Sequence, residues 1–181
     1  MKRKYAVWKE MYDVSARRRI PLMATMELTY RCNLSCVNCY VCRGNGKREM
    51  GFSGVKKAID GLDAAGCLFL TLTGGEVFLR SDLHEILDYL DTKQFILQVF
   101  TNGTLIDGAA ARRLSRYRIW NMGISVYSAK PEVHDSVTGE TGSFEKTIRA
   151  VQALKKSGLR VELKTPLMKY NSTDYGDLIR L

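Results

Sequence analysis

Three cysteines, Cys32, Cys36 and Cys39, lie within eight residues of the chain, directly after an apolar run over residues 21–29. Three thiols this close cannot all pair with one another, so a disulfide framework explains them poorly. The spacing C-x3-C-x2-C lets them converge on one metal centre, and thiolate is a soft ligand that suits zinc or an iron–sulfur cluster. A four-iron cluster held by three thiolates would keep one iron open to a small molecule. A closed zinc site would need a fourth ligand, for which Cys42 is near enough.

The composition is that of a globular domain that carries a basic charge. The 181 residues are 45% apolar, and Lys and Arg exceed Asp and Glu by 28 − 19 = 9. The basic residues form short groups without an aromatic-interleaved stripe, so nucleic acid is not the expected partner. The charge fits solvated helix faces, or an anionic partner such as an acidic peptide. No apolar run reaches the roughly 18 residues that span a bilayer, and the basic N-terminus lacks a signal-peptide core, so we expect no membrane partner and a cytoplasmic location.

Apolar runs alternate with segments of helical periodicity, which predicts parallel β/α units in an α/β fold. Ser53, Ser81 or Asp82, and Asp107 are the expected N-cap residues of three helices. Strands are predicted over 22–29, 67–73, 95–100, 119–126 and 160–165, and helices over 5–19, 53–65, 81–90, 107–115, 143–157 and 171–181.

Each predicted strand ends at residues that can do chemistry. The cysteine loop follows the first strand, Gly74-Gly75-Glu76 the second and Thr101-Asn102-Gly103 the third, while Ser125 and Lys164 end the fourth and fifth. In β/α barrels the carboxyl ends of the strands form the rim on which sites are built. Five parallel strands do not close a barrel, so we expect an open, partial (β/α) barrel that is apparently truncated at its C-terminus.

The cysteine loop followed by Gly74-Gly75-Glu76 resembles the radical S-adenosylmethionine (radical SAM) superfamily. The stretches "LTLTGGEVFLRSDLHEI", "FTNGTLID", "ISVYSAKPEVHDSVTGETGSFEKTI" and "LKTPLMKYN" are similar to successive motifs of its peptide-modifying and cofactor-maturing branch, whose members often carry a C-terminal SPASM domain. The resemblance implies a radical SAM (β/α) domain over 21–181 that lacks the sixth strand of the family's barrel. The N-terminal helix, over 1–20, precedes this domain.

The resemblance also implies the cofactors and the reaction. Cys32, Cys36 and Cys39 would hold a 4Fe-4S cluster, and SAM would chelate the fourth iron through its amino and carboxylate groups. One electron from the cluster would cleave SAM to a 5′-deoxyadenosyl radical, which abstracts a hydrogen atom from the substrate. The implied substrate is a peptide or a peptide-derived cofactor precursor, and the implied electron donor is a flavodoxin- or ferredoxin-like protein.

The same resemblance assigns contacts to SAM. The two glycines would let the backbone approach the methionyl part, and Glu76 would accept a hydrogen bond from the ammonium group. The cofactor-binding residues implied in this way are Asn38, Gly74, Gly75, Glu76, Asn102, Ser125 and Lys164. Asn38 replaces the aromatic residue that the family usually has before the third cysteine, and it can still offer a hydrogen bond to adenine. Val77 replaces the usual proline after GGE and Tyr127 replaces a frequent aspartate, two changes that we interpret as tolerated variation.

Two other functions remain open on the sequence alone. The chain could be a catalytically incomplete radical SAM scaffold that serves as a binding or partner module, or a structural zinc-loop protein. Cys67 is expected in the core, and His134 and Asp135 are expected to have a capping or structural role rather than an acid–base role. The unpaired edge of the fifth strand predicts self-association.

Overall fold

The computed structural model describes residues 2–41, 49–173 and 175–181. Five strands alternate with helices along the chain, and none of the described helices is both long and apolar enough to cross a membrane. The elements are α1 (Lys2–Arg18), β1 (Met23–Glu27), α2 (Phe52–Ala64), β2 (Phe69–Thr73), a 3-10 turn (Val77–Leu79), α3 (Leu83–Asp91), β3 (Ile96–Thr101), α4 (Gly108–Leu114), β4 (Ile119–Ser125), α5 (Pro131–Thr138), α6 (Ser143–Lys156), β5 (Val161–Lys164) and α7 (Tyr175–Arg180).

The five strands form one parallel sheet in the order β1-β2-β3-β4-β5. Each strand pairs with the one before it in the chain, as expected for successive β/α units. The predicted α/β class and the open, partial barrel are confirmed. All five carboxyl ends lie along one edge, where the chemistry-bearing loops meet.

The core lies between the sheet and the helices that follow its strands. Alternate residues of the central strands, such as Leu70, Leu72 and Met122, are fully buried against apolar residues of the helices, such as Ile59 and Leu114. Successive strand residues point to opposite faces, so the residues between them line the other face of the sheet. This packing fixes the direction of each strand and hence the position of the loop at its end.

The structure confirms one of the three predicted helix caps and contradicts the other two. Asp107 caps α4 as predicted, because its carboxylate accepts a hydrogen bond from Ala110 N. Ser53 is not a cap, since α2 begins after Gly51. Asp82 precedes α3, but its carboxylate binds Arg80 instead of the helix backbone.

One helix was not predicted. Helix α5 occupies the stretch that the sequence suggested was a loop before residue 143. It has only eight residues, begins with Pro131 and ends at Gly139 in the left-handed conformation (φ 71°). A segment this short carries too few apolar repeats to stand out from a loop.

Candidate functional site

A cavity of about 190 Å³ lies at the carboxyl edge of the sheet. The structure describes all ten predicted site residues, and eight of them line this cavity while Glu76 and Lys164 do not. The eight are Cys32, Cys36, Cys39, Asn38, Gly74, Gly75, Asn102 and Ser125. The fold thus brings the three thiols of one loop together with the ends of β2, β3 and β4.

The two glycines hold the start of the cysteine loop against β2. Gly75 N donates to Thr29 O and Glu76 N donates to Arg31 O, both at 2.7 Å. A Cβ on Gly75 would lie 2.2 Å from Arg31 O, and one on Gly74, whose φ is 149°, would lie 2.4 Å from Thr29 O. Glycine is therefore required at both positions for the backbone that leads into the cysteine loop to approach this closely.

A polar cluster ties the loop to the end of β3. Asn102 Nδ2 donates to Asn33 Oδ1 at 3.0 Å, and Asn33 Nδ2 donates to Thr104 Oγ1 at 2.8 Å. Asn102 Oδ1 in turn accepts from Thr104 N at 2.9 Å. The sulfur of Cys32 accepts from Leu34 N at 3.4 Å and contacts Asn102 Nδ2 at 3.9 Å. Asn102 therefore orients the loop and also reaches one of its sulfur atoms.

Helix α5 supports the loop from the other side. Ser35 N donates to Thr138 O, and Val37 N donates to Val137 O, each at 2.9 Å. The end of α5 is itself fixed by Asp135, whose carboxylate accepts from Gly142 N, from the Ser143 hydroxyl and from Phe144 N at 2.6 to 2.8 Å. The expected capping role of Asp135 is thereby confirmed.

Burial raises the pKa of the Cys32 and Cys36 thiols. For Cys32 the hydrogen bond from Leu34 N opposes this effect, and for Cys36 the hydrogen bond from Tyr127 does so. Both groups are therefore thiols at neutral pH, and metal binding would release their protons. Among the described residues, no three His, Cys, Asp or Glu side chains come close enough together to hold a single metal ion. Cys42, the fourth ligand considered for zinc, lies outside the described residues.

Glu76 lies beneath the cavity and is fully buried. Its carboxylate accepts hydrogen bonds from the Thr101 hydroxyl at 2.7 Å, from Asn102 N at 2.8 Å and from Phe78 N at 3.1 Å. Burial raises its pKa, while these three donors act in the opposite direction. Glu76 thus joins the ends of β2 and β3, and its predicted contact with SAM would use a remaining carboxylate lone pair.

The end of β4 adds a residue that the sequence did not assign to the site. Tyr127 lines the cavity together with Cys36, Ser125 and Asn38. Asn38 Oδ1 is buried and has no hydrogen-bond donor among the described residues. An acceptor without a donor inside a cavity is the kind of group that a bound cofactor satisfies.

Lys164 lies at the end of β5, one strand beyond the cavity. Its ammonium group pairs with Glu162 Oε1 at 2.7 Å and lies 5.1 Å from the centre of the Phe100 ring. Phe100 lines the cavity and Lys164 does not, so Lys164 is connected to the cavity through its contact with the Phe100 ring. The predicted role of Lys164 toward SAM would require it to leave Glu162.

His134 and Cys67 have structural positions. His134 is 1% exposed, and its Nδ1 accepts a hydrogen bond from Tyr127 N at 3.2 Å. Burial lowers the pKa of His134 to about 4, so the ring is neutral at pH 7. Cys67 is buried two residues before β2, in the core as predicted. The predicted structural role of His134 agrees with these contacts.

The sequence profile of the radical SAM superfamily matches residues 26–181. The chain belongs to the radical SAM superfamily. The resemblance drawn from the cysteine loop and the GGE motif is confirmed by this match. The cofactors of this superfamily are a 4Fe-4S cluster and SAM.

Individual radical SAM proteins are similar over most of this chain. It is 36% identical over 163 residues to AlbA, the antilisterial bacteriocin subtilosin biosynthesis protein of Bacillus subtilis. This match covers 88% of the present chain and 36% of AlbA. The chain is 35% identical over 139 residues to the mycofactocin maturase MftC of Mycolicibacterium smegmatis, and the match covers 76% of the present chain and 35% of MftC. The chain therefore spans about a third of the length of these relatives.

Among solved structures, SuiB of Streptococcus suis has the same fold. In its complex with the precursor peptide SuiA, SuiB aligns with a TM-score of 0.80 at 14% identity, over 95% of this chain and 39% of SuiB. SuiB bound to S-adenosylmethionine gives the same TM-score. At this identity the similarity establishes the fold alone.

Several residues that line the cavity were not assigned to the site from the sequence, and they share a position near strand ends. Thr73, Phe100, Thr101 and Tyr127 line the cavity, and each lies within two residues of a predicted site residue. Each also lies within two residues of a strand end, so the position at the rim was the available signal.

Proposed function

We propose that this chain is the SAM- and cluster-binding part of a radical SAM enzyme that modifies a peptide or a peptide-derived cofactor precursor. The observation that carries the proposal is the cavity where the three thiols meet the ends of β2, β3 and β4. A zinc loop would need the thiols alone, whereas a cluster that binds SAM needs the strand ends beside them. We place the boundary of this domain at residues 21–181, after α1.

Cys32, Cys36 and Cys39 would hold three irons of the cluster, leaving the fourth for the amino and carboxylate groups of SAM. When bound, the reduced cluster supplies the electron that cleaves SAM to methionine and a 5′-deoxyadenosyl radical, which takes a hydrogen atom from the substrate. The protein's part is to position the thiolates, to bind SAM and to exclude water. The backbone contacts from Thr29, Thr138 and Val137 support the first of these roles, because they fix the loop on both sides.

SAM would lie along the strand ends that share the cavity with the thiols. Asn38 Oδ1 has no donor in the part of the chain that the structure describes, and the exocyclic amine of adenine can supply one. Ser125 would contact the ribose or carboxylate of SAM, with Asn102, Gly74 and Gly75 beside the methionyl part. Glu76 and Lys164 would act from just outside the cavity.

The substrate and partners are inferred from the relatives and the charge. AlbA and MftC are named for bacteriocin biosynthesis and mycofactocin maturation, and SuiB binds a precursor peptide. The net charge of +9 favours an acidic peptide. We propose a flavodoxin- or ferredoxin-like electron donor, a cytoplasmic location, where thiols stay reduced, and self-association through the open edge of β5.

The test is iron and sulfide analysis with EPR on protein reconstituted without oxygen. We expect about four irons per chain, as a 4Fe-4S cluster requires, and a reduced-cluster signal that changes when SAM is added. Cys36→Ser should abolish the signal, and Cys67→Ser is the matched control because Cys67 lies in the core away from the cavity.

Other outcomes would contradict the proposal. A cluster that does not respond to SAM would indicate an incomplete scaffold acting as a binding or partner module. A colourless protein with one zinc ion would indicate the zinc-loop alternative.

A further inference from the structure

The side chains of Asn33, Asn102 and Thr104 form a closed ring of hydrogen bonds next to Cys32. Asn102 Nδ2 donates to Asn33 Oδ1 at 3.0 Å, Asn33 Nδ2 donates to Thr104 Oγ1 at 2.8 Å, and Thr104 Oγ1 donates to Asn102 Oδ1 at 2.7 Å. Each group donates to the next and accepts from the one before, so the three bonds strengthen one another. Neither Asn33 nor Thr104 lines the cavity, and the sequence assigned no function to either.

Backbone groups fix the orientation of the Asn102 amide. Thr104 N donates to Asn102 Oδ1 at 2.9 Å, so the amide oxygen faces Thr104 and the amide nitrogen faces the cysteine loop. The main chain of Asn102 is held as well, because its N–H donates to the buried Glu76 carboxylate at 2.8 Å and its carbonyl accepts from the Thr147 hydroxyl at 2.9 Å. Every polar group of Asn102 thus has a protein partner, and its amide acts on the cysteine loop.

The ring holds two N–H donors on the sulfur of Cys32. One is Leu34 N at 3.4 Å, and the other is Asn102 Nδ2, which contacts the sulfur at 3.9 Å. Asn33 lies between Cys32 and Leu34 in the chain, so fixing its side chain also fixes the backbone turn that presents the Leu34 N–H. An ionised sulfur is a stronger acceptor than a thiol, so both contacts favour Cys32 as a thiolate ligand.

We propose that Asn33 and Thr104 are positioning residues that act through Asn102 to keep these two donors on the Cys32 thiolate, and thereby raise the reduction potential of the cluster. The inference rests on the proposed function, since it requires the cluster. Hydrogen bonds to ligand sulfur are one of the factors that set the potential of iron–sulfur clusters. Reduction adds negative charge to the cluster and its ligands, so N–H donors stabilise the reduced state more than the oxidised state.

The experiment is potentiometric titration of the reconstituted cluster, followed by EPR, in wild type and Thr104→Val. Valine has the shape of threonine without the hydroxyl, so it opens the ring and keeps the backbone N–H that binds Asn102 Oδ1. We expect the midpoint potential to become more negative, so that at the wild-type midpoint the ratio of reduced to oxidised cluster falls by roughly threefold, equivalent to about 28 mV for one electron. Thr104→Ser, which keeps the hydroxyl, should restore the wild-type potential. The matched control is Thr92→Val, which deletes a hydroxyl that bonds to Tyr89 O at the end of α3, and its potential should equal that of wild type.

A second variant tests whether the ring acts through Asn102. Asn102→Leu removes the amide itself, so its potential should be at least as negative as that of Thr104→Val, and adding Thr104→Val to it should cause no further shift. Iron and sulfide analysis of each variant separates a shifted potential from a lost cluster. If an intact cluster has the same potential in wild type, Thr104→Val and Asn102→Leu, or if the two shifts simply add, the inference is wrong. If wild type itself forms no SAM-responsive cluster, the proposed function is what fails.

Discussion

At the residue scale, Gly75 shows how a motif associated with SAM also determines the local fold. Its N–H and that of Glu76 bind the carbonyl groups of Thr29 and Arg31, which lead into the cysteine loop. The absence of a side chain is what permits this contact, since a Cβ would lie 2.2 Å from Arg31 O. The glycine therefore positions the thiols as well as the surface that would face the cofactor.

We therefore expect Gly75→Ala to destabilise the protein and to reduce iron incorporation. The new methyl group meets backbone rather than a flexible side chain, so the strand end must move, at a cost on the order of 3 kcal/mol or more. Urea unfolding of the apo-protein and iron analysis would measure both effects. The matched control is Gly61→Ala in α2, where no atom lies within 4 Å of the added Cβ. That change should raise stability by about 0.5–1 kcal/mol and leave iron content unchanged. Equal stability of the two variants would contradict this explanation.

His134 gives the protein a pH dependence above the range in which the carboxylates with lowered pKa values titrate. Its folded-state pKa of about 4 lies below the ordinary value of 6.5, because burial disfavours the charged ring. The unfolded chain therefore binds the proton more readily, and stability falls as the pH falls from about 6.5 to 4. The shift corresponds to a loss of about 3 kcal/mol over that window.

Unfolding free energies measured across this window should show that slope, and His134→Asn should reduce it. Asparagine can still offer an oxygen to Tyr127 N while carrying no titratable group. Asp135 and the other carboxylates with lowered pKa values lose their contributions only below about 4.5, so they act mainly outside the window. An unchanged slope in His134→Asn would show that another group is responsible, and His84→Asn would then be the variant to measure.

At the scale of elements, α5 connects the cysteine loop to the packing of α6. The carbonyl groups at its end accept from Ser35 N and Val37 N, and Asp135 binds the backbone at the start of α6. Asp135 lies outside the cavity, yet its hydrogen bonds fix the helix end on which the loop rests. Removing the Asp135 hydrogen bonds should therefore also disturb the cysteine loop that would bind the cluster.

Asp135→Ala should lower stability by about 2 kcal/mol and also lower the iron content after reconstitution. The stability loss follows because two backbone N–H groups and the Ser143 hydroxyl lose their acceptor. Asp107→Ala is the matched control, since Asp107 caps α4 with one exposed hydrogen bond. It should cost about 1 kcal/mol and leave iron content unchanged. If both variants bind iron like wild type, α5 does not support the loop in the way inferred.

The elements also show what the sequence could predict. All five strands appear where apolar runs predicted them, because a buried parallel strand leaves a strong local pattern. Helix α5 was missed because so short a segment leaves little periodic pattern, and its contacts with the cysteine loop are not encoded locally. The cap assigned to Ser53 was wrong because α2 begins one residue earlier, after Gly51.

The candidate site was predictable to a similar degree. The cysteines, GGE and Asn102 carry a recognisable order along the chain, and they meet in one cavity. Tyr127 was interpreted as tolerated variation, yet it lines the cavity with Cys36, which lies 91 positions earlier in the sequence. The parallel sheet brings the end of β4 to the same edge as the cysteine loop, which no local pattern shows.

At the scale of the whole molecule, the sheet is open at β5. In the part of the chain that the structure describes, β5 pairs with β4 alone. Met122 N donates to Arg160 O and Val126 N donates to Lys164 O, so these β5 residues face β4. Because successive residues of a strand alternate in direction, the N–H groups of Val161 and Leu163 point toward the open edge. An edge with unsatisfied donors and acceptors is a template for pairing with another chain.

We therefore expect this 181-residue chain to self-associate in a concentration-dependent way, measured by sedimentation velocity. Val161→Pro should weaken the association, because proline removes an outward donor while the hydrogen bonds from Met122 and Val126 remain. Thermal unfolding followed by circular dichroism would confirm that the variant is folded. Adding salt should not abolish association, since backbone hydrogen bonds rather than surface charges would hold the chains together. A wild-type chain that stays monomeric at every concentration would show that the edge is protected, and α7, which follows β5, is the element whose deletion would then be tested.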